Sequence, residues 1–480
     1  MTVALKELNG GTLEVLDERL AELRTALEGQ LIGKDDAGYD EARSLWNGMI
    51  DRHPGLIVLA TNRRDIQLVV NFAQHNSVLL SIKGGGHQIA GHAVADGALL
   101  LDLSQMKSVH VDADAATATV EPGCLLSDVD KATQAHGLAV PLGINSTTGI
   151  SGLTLGGGFG WITGKHGLTI DNLLSAEVVC ADGEIRTASA SQNPDLFWAI
   201  SGGGGNFGVV CSFNFKLHPI GPEVLSGLIV HPLSDARGLL QKYRDICARA
   251  PDELTVWAVL RQAPPLPFIP PAWHGKEVLI FAACYAGDME QGMQSMQELR
   301  GLGEPIADVI APHPYEGWQQ AFDPLLTPGA RNYWKSNDFL ALHDEVIDAT
   351  LSAVAELPDP QTEIFIAHLG GAMTRVDPSA TPFPQRKRHF VMNIHTRWSD
   401  PAQDQSCIAW ARELFEQTAP HAAGTVYVNF LPTDDEGRVS EAYGSNIEKL
   451  RGIKEKYDPQ NLFRLNHNIV PKADVELMSA

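Results

Sequence analysis

Positive charge is scarce in this chain. Its 480 residues carry 36 lysines and arginines against 58 aspartates and glutamates, a formal net charge of −22. With no basic stripe to replace condensed counterions, nucleic acid is excluded as a partner, and an anionic membrane surface is disfavoured for the same reason. Long apolar runs are also missing; none approaches the roughly 18–20 residues of a membrane span. The opening MTVALKELNGG has no basic segment followed by an apolar one, so no secretory signal is expected. Six cysteines (Cys124, Cys180, Cys211, Cys247, Cys284 and Cys407) form no C-x-x-C pair and are read as buried free thiols, which suits a reducing cytoplasm. H-E-x-x-H is absent and the 17 histidines show no ligand spacing, so no metal is expected.

What is present is an ordinary globular composition, long enough for two or three domains. Leu13, Leu16, Leu20, Leu23 and Leu27 recur at helical spacing and predict an amphipathic helix over 13–28. Strands are expected at 56–59, 78–82, 99–103, 117–121 and 207–217, with a hairpin at 177–187 turning on Asp182-Gly183, and helices at 62–76 and 125–136. The segment His218-Pro219-Ile220-Gly221-Pro222 reads as a boundary. Beyond it, strands at 278–285, 363–369 and 389–396 mix with helices at 239–248 and 408–417. The reading is α+β: a first domain over 1–220 with its core from about 51, a second over 223–430 built on an antiparallel sheet flanked by helices, and a C-terminal segment over 431–480.

The 45 glycines cluster. Lys83-Gly84-Gly85-Gly86-His87 follows a strand directly; Gly143 to Gly160 mixes glycines with hydroxyls; Gly202–Gly208 forms a third loop. Bare peptide N–H groups after a strand can receive a phosphate or a flat ring. One such loop is an ordinary tight turn, but three within about 125 residues point to a large phosphate-bearing ligand. No G-x-G-x-x-G opens a helix, and no G-K-[ST] follows the glycines, so neither a Rossmann nor a Walker site is indicated.

Four stretches then resemble a family: S-I-K-G-G-G-H at 81–87, S-G-L-T-L-G-G-G-F-G-W at 151–161 with K-H-G-L at 165–168 and D-N at 171–172, G-G-G-N-F-G-V-V at 203–210, and Y-D-P-Q-N-L-F-R-L-N-H-N-I at 457–469. Pro382-Phe383-Pro384-Gln385-Arg386 is a weaker fifth. Together they resemble the vanillyl-alcohol-oxidase (PCMH-type) flavoproteins, and among them the berberine-bridge-enzyme-like branch. The resemblance implies FAD bound by the first domain and the tail, with the antiparallel sheet over the flavin. The cofactor-binding residues it implies are Lys83, Gly84, Gly85, Gly86, His87, Gln88, Gly91 and His92 from the first loop. The second loop supplies Gly143, Asn145, Ser146, Thr147, Thr148, Gly149, Ser151, Gly152, Gly156, Gly157, Gly158 and Gly160, followed by His166. Asn206, Gly208 and Val209 come from the third loop, and Tyr457, Asn466 and Asn468 from the tail.

His87 occupies the position at which the family joins histidine to the flavin 8α-methyl. Where many members carry a second, cysteinyl link, this chain has Asn145, so one covalent bond is expected. Thr148 falls where the family places a residue near flavin C4a; its modest, valine-like bulk implies an open path for oxygen and an oxidase producing hydrogen peroxide. For a base or polariser the candidates are Tyr427, Asn393 and His395. Tyr427-Val428-Asn429-Phe430 resembles the family's Y-x-N-Y strand with the second tyrosine lost, and the glutamate that some members carry before P-F-P-x-R is missing, leaving only an offset Asp377. His389, Asn393, His395 and Arg397 share one face of an expected strand, turned either to the flavin or, as is commoner for such a row, to solvent. The implied activity is hydride removal from a small alcohol, sugar or phenolic metabolite with molecular oxygen as acceptor. An amine oxidase acting on a hydroxynicotine-like ring is the alternative, and a redox-neutral cyclase or metabolite-binding protein a third.

Overall fold

Asn62 starts the first long helix, Arg63–His75, by accepting from the backbone N–H groups of Arg64 and Asp65, a cap worth about 1 kcal/mol. That helix lies between Leu56–Leu59 and Leu80–Lys83, which both pair in parallel with Leu99–Asp102. The glycine loop carrying His87 leaves the end of Leu80–Lys83. The structure, a computed structural model, describes residues 2–478. A five-stranded antiparallel sheet completes the first region, ordered Ile185–Ser189, Leu173–Val179, Val209–Lys216, Thr117–Val120, Val109–Asp112. Its first two strands are the expected hairpin, with Gly183 at φ +76° in the turn.

The predicted helix over 13–28 is only half helical. Thr12–Leu16 pairs with Thr2–Lys6 as a hairpin, and the helix runs Asp17–Ala26. Leu13 and Val15 lie two apart on one face of that strand, Val15 buried and Leu13 partly so, and the pairing overrides the leucine spacing.

Between 223 and 398 the chain builds an eight-stranded antiparallel sheet whose central path runs Glu223–Pro232, Glu277–Tyr285, Leu254–Gln262, Glu363–Leu369, His389–Trp398, Arg331–Phe339. Helices Ala236–Arg249, Asp344–Val354 and Asp404–Thr418 cover one face, where Phe390, Met392, Ile394 and Trp398 join their core. The other face carries Val391, Asn393, His395 and Arg397 and looks towards the first region. The chain then returns. Val426, Val428, Leu431, Leu450 and Ile469 pack into the core of the five-stranded sheet, so this return begins a few residues before the expected 431. Arg386 and Asp171 tie the two regions through a buried two-pronged ion pair of 2.8 and 2.9 Å.

Candidate active site

Between the first region, the inner sheet face and the returning tail lies one large cavity. Its floor is made by glycine loops in backbone contact. A Cβ on Gly85 would fall 2.3 Å from the Gly149 nitrogen, so neither loop tolerates a side chain at the crossing. His87 sits beside this crossing. Its Nε2 lies 2.9 Å from Thr147 Oγ1, and its ring stacks on Trp46 with centroids 5.0 Å apart. Burial pushes its pKa down to about 3, so the imidazole is neutral at any working pH.

Of the residues expected from sequence, Gly84, Gly85, Gly86, His87, Gln88, His92, Gly143, Asn145, Thr148, Gly149, Ser151, Gly152, Gly156, Asn206, Gly208, Val209 and Asn466 line this cavity, as do Tyr427, Asn393 and His395. Others are turned elsewhere. Lys83 is buried against Asp102 at 2.9 Å, because its place in the strand aims it beneath the loop. Gly91 packs on Ile50, and Gly160 lies under the Leu142 carbonyl. Ser146 donates its backbone N–H to Asp323. Thr147 reaches the cavity only through His87. Gly157 packs on Phe383 and Tyr427, and Gly158 spends its N–H on Tyr427. His166 stacks on His218 at 3.9 Å, Tyr457 donates to Asp195, and Asn468 stands behind the wall. Asp377 is exposed and bonds its own neighbour Ser379, far from any base role.

The inner sheet face is not solvated. Asn393 is 1% exposed, His395 4% and Arg397 2%. Cross-strand register sets Trp334, His395, Glu363 and Arg261 in one row, and Ser336, Asn393 and Phe365 in the next. Glu363 accepts from Arg261 Nη1 at 2.6 Å and lies 3.4 Å from His395 Nδ1. Burial opposes its ionisation, but Arg261, with His395 and Arg397 behind, more than offsets this and holds its pKa at about 2. His395 Nε2 meets Asn332 Oδ1 at 3.0 Å, so both its ring nitrogens are engaged. Burial lowers its pKa while Glu363 pulls the other way. It has no free lone pair to offer a substrate. Asn393 Oδ1, by contrast, has no partner among the described residues.

Tyr427 is not on a strand. It precedes the helical turn Val428–Phe430, which brings its hydroxyl against the second glycine loop. That oxygen accepts from Gly158 N–H at 3.1 Å and Asn429 Nδ2 at 2.9 Å. Burial raises its pKa to about 12, so it stays protonated. With both acceptor positions filled, its proton is left for the cavity.

Sequence reasoning missed the aromatic walls. Trp334 meets His395 and Phe430 edge-on at 4.9 and 5.4 Å; Phe430 meets Tyr427 at 4.9 Å; Trp257, Phe159 and Phe365 complete the lining. Period two from Asn332 to Ser336 could have flagged Trp334. Trp46 carried no local signal, since its indole N–H bonds the carbonyl of Leu326, 280 residues away.

The site suits FAD on its own evidence. On the cavity wall, the buried Asn466 Oδ1 and the Tyr443 hydroxyl have no partner among the described residues; such orphans cost about 1–3 kcal/mol each unless a ligand satisfies them. Together with the bare loop peptides they match a cofactor bearing phosphates, hydroxyls and a flat ring.

Comparison with known proteins agrees. A family model described as an FAD-binding domain matches residues 54–189, and one described as "berberine and berberine like" matches 426–470. The FAD-linked oxidoreductase YgaK of Bacillus subtilis is 30% identical, covering 93% of this chain and 98% of its own. The crystal structure of 6-hydroxy-D-nicotine oxidase from Arthrobacter nicotinovorans superposes with a TM-score of 0.83 at 27% identity, covering 93% of this chain and 98% of that one. Xylooligosaccharide oxidase from Myceliophthora thermophila gives 0.82 at 25%, covering 94% and 98%. Both halves of the cofactor cradle and nearly the whole chain are therefore shared: the protein is an enzyme belonging to the berberine-bridge-enzyme-like FAD-linked oxidoreductases.

Proposed function

We propose that this enzyme carries its FAD on His87 by a single histidyl link, removes a hydride from a small, flat aromatic alcohol or phenol, and passes the electrons to oxygen as hydrogen peroxide. The observation that carries the substrate class is the cavity wall. Trp46, Trp334, Trp257, Phe365, Phe430 and Phe159 surround it, and Glu363 is the one Asp, Glu, Lys or Arg among its lining residues. A hydroxyl-rich sugar would leave most of its hydrogen-bonding groups facing rings, whereas a flat ring gains stacking and edge contacts on every side. The charge of Glu363 favours a second reading, a ring bearing an amine, in line with the hydroxynicotine oxidase likeness.

The bound flavin supplies hydride acceptance. The chain's own residues do the rest. Tyr427 presents its O–H to the substrate heteroatom and holds it in place; at a pKa of about 12 it keeps its own proton and does not act as a base, so the proton that the substrate loses with the hydride is released to solvent. Asn393 Oδ1 is free to accept the substrate's O–H or N–H. His395 is a positioning residue that braces Glu363. The aromatic walls exclude water from the transfer.

Anaerobic mixing with a panel of aromatic alcohols, phenols, aromatic amines and xylo-oligosaccharides tests the substrate class. Bleaching of the flavin by an aromatic member is expected, and bleaching by the sugars alone would overturn it. Tyr427→Phe is expected to slow that bleaching about 10²-fold while leaving the flavin attached. Thr148 lies on the cavity wall; air is expected to reoxidise the reduced enzyme well above the rate of free flavin, with peroxide formed one for one with product.

A further inference from the structure

We infer that Asn145 and Thr147 act as a relay that fixes the tautomer of His87, leaving Nδ1 as the atom that bonds the flavin. This rests on the covalent reading proposed above.

The direction of the relay follows from its donors. Asn145 Oδ1 can only accept, and Thr147 Oγ1 lies 2.7 Å from it and donates its proton there. The threonine backbone N–H donates to the same oxygen at 3.1 Å. Having given its proton to Asn145, the Thr147 oxygen faces His87 Nε2 with a lone pair, at 2.9 Å. Nε2 must therefore carry the ring's hydrogen, because a neutral imidazole has one N–H. Nδ1 is left with the lone pair, and none of the described hydrogen bonds involves it. A hydrogen bond from the distal N–H also pushes electron density towards the other nitrogen, as it does in histidines that bind metals.

Trp46 fixes the remaining freedom of the ring. Its indole lies nearly parallel to the imidazole, at 21°. It is pinned by its backbone N–H to Gly86 O at 3.1 Å and by Nε1 to Leu326 O at 2.8 Å, with the Arg397 guanidinium 5.4 Å from its ring centre. Asn145 thus has a purpose of its own at the position where the family resemblance implies a second flavin link in many members. Oxygen is the oxidant that drives the attachment. The Nδ1 lone pair forms a bond to the 8α carbon and one methyl hydrogen leaves as a proton. The alkylated imidazole is cationic while Nε2 keeps its hydrogen, and it becomes neutral by releasing that proton past Thr147, which with the methyl proton makes the two. The flavin ring takes up two electrons, which pass with two protons to oxygen as hydrogen peroxide.

The test is the time course of attachment. Full-length protein from riboflavin-starved cells is mixed with FAD in air, and acid-stable flavin is followed by fluorescence of the denatured band. Thr147→Val keeps the shape and removes the hydroxyl; attachment is expected to slow about tenfold or more, while total bound FAD and the thermal midpoint stay near those of the parent. Thr147→Ser is expected to restore the rate. A Thr147→Val variant that links FAD as fast as the parent overturns the relay and leaves the covalent reading standing, as does a folded, FAD-bound Thr147→Ser that fails to recover. A parent that releases all its flavin into acid overturns the covalent reading and the relay with it.

Discussion

A His87→Ala variant is expected to be yellow when native and dark when denatured: all of its flavin should appear in the acid supernatant, where the parent retains its flavin on the protein band. The reason is the division of labour in the cradle. The glycine loops crossing at Gly85 and Gly149, the third loop and the tail acceptor Asn466 do not depend on the imidazole, so binding survives and only the bond is lost. The same geometry sets a pH expectation. An exposed histidine, with a pKa near 6.5, is half protonated there and loses its nucleophilic lone pair below it. Burial holds His87 at about 3, so its lone pair is present throughout pH 5–9 and the attachment rate should not fall on the acid side of that range. Loss of an electron-withdrawing substituent also lowers the flavin's reduction potential, so substrate reduction should slow in the variant. Fluorescence persisting on the denatured His87→Ala band would mean that the anchor is another side chain.

The motif-bearing loops were legible because glycines between strands have few alternatives: each short strand ends at a loop whose peptide groups must be used. Leu56–Leu59 and Glu363–Leu369 fall on their expected bounds because each is a clean apolar or alternating run between breakers. Which loop residues face the ligand was not legible. Lys83 belongs to the motif and Gly91 follows it in the same loop, yet one turns into an ion pair beneath the loop and the other meets Ile50; both serve the loop's shape. The row His389–Arg397 shows the limit of periodicity. Period two groups residues on a face, but water or protein beyond that face is decided by a layer some hundreds of residues distant. Glu363 read as the start of a strand and nothing more. Its meaning depends on Arg261 and His395, 102 and 32 positions away, brought beside it by strand register.

Replacing Asp458 by Asn is expected to destabilise the enzyme by about 3–5 kcal/mol, the usual consequence of leaving one member of a buried ion pair alone. Lys454 and Asp458 are both fully buried, 2.6 Å apart, one turn apart along the end of helix Ile447–Tyr457. Their remaining valences are all used within the fold. The ammonium also bonds the carbonyls of Asn206 and Phe463, at 2.8 and 2.9 Å, and the carboxylate accepts the N–H groups of Leu462 and Phe463. One knot therefore holds the third glycine loop and the tail bearing Asn466 in register. Burial already lowers Lys454 to about 8 against the pull of Asp458 in the other direction. Without that carboxylate its pKa falls further, and the sign of the pH effect follows. A base whose folded pKa is depressed is most costly where it must stay charged, so the deficit should be greatest at acid pH and shrink as rising pH lets the lone ammonium release its proton. Thermal midpoints of parent and variant from pH 6 to pH 9 measure this. A deficit below about 1 kcal/mol, or one that does not narrow with pH, would show that the pair is not what joins tail to loop. Because the knot sits under the cofactor cradle, the variant should also hold FAD more weakly before attachment. Flavin occupancy and stability are then expected to fall together, through a residue that touches neither the ring nor the substrate.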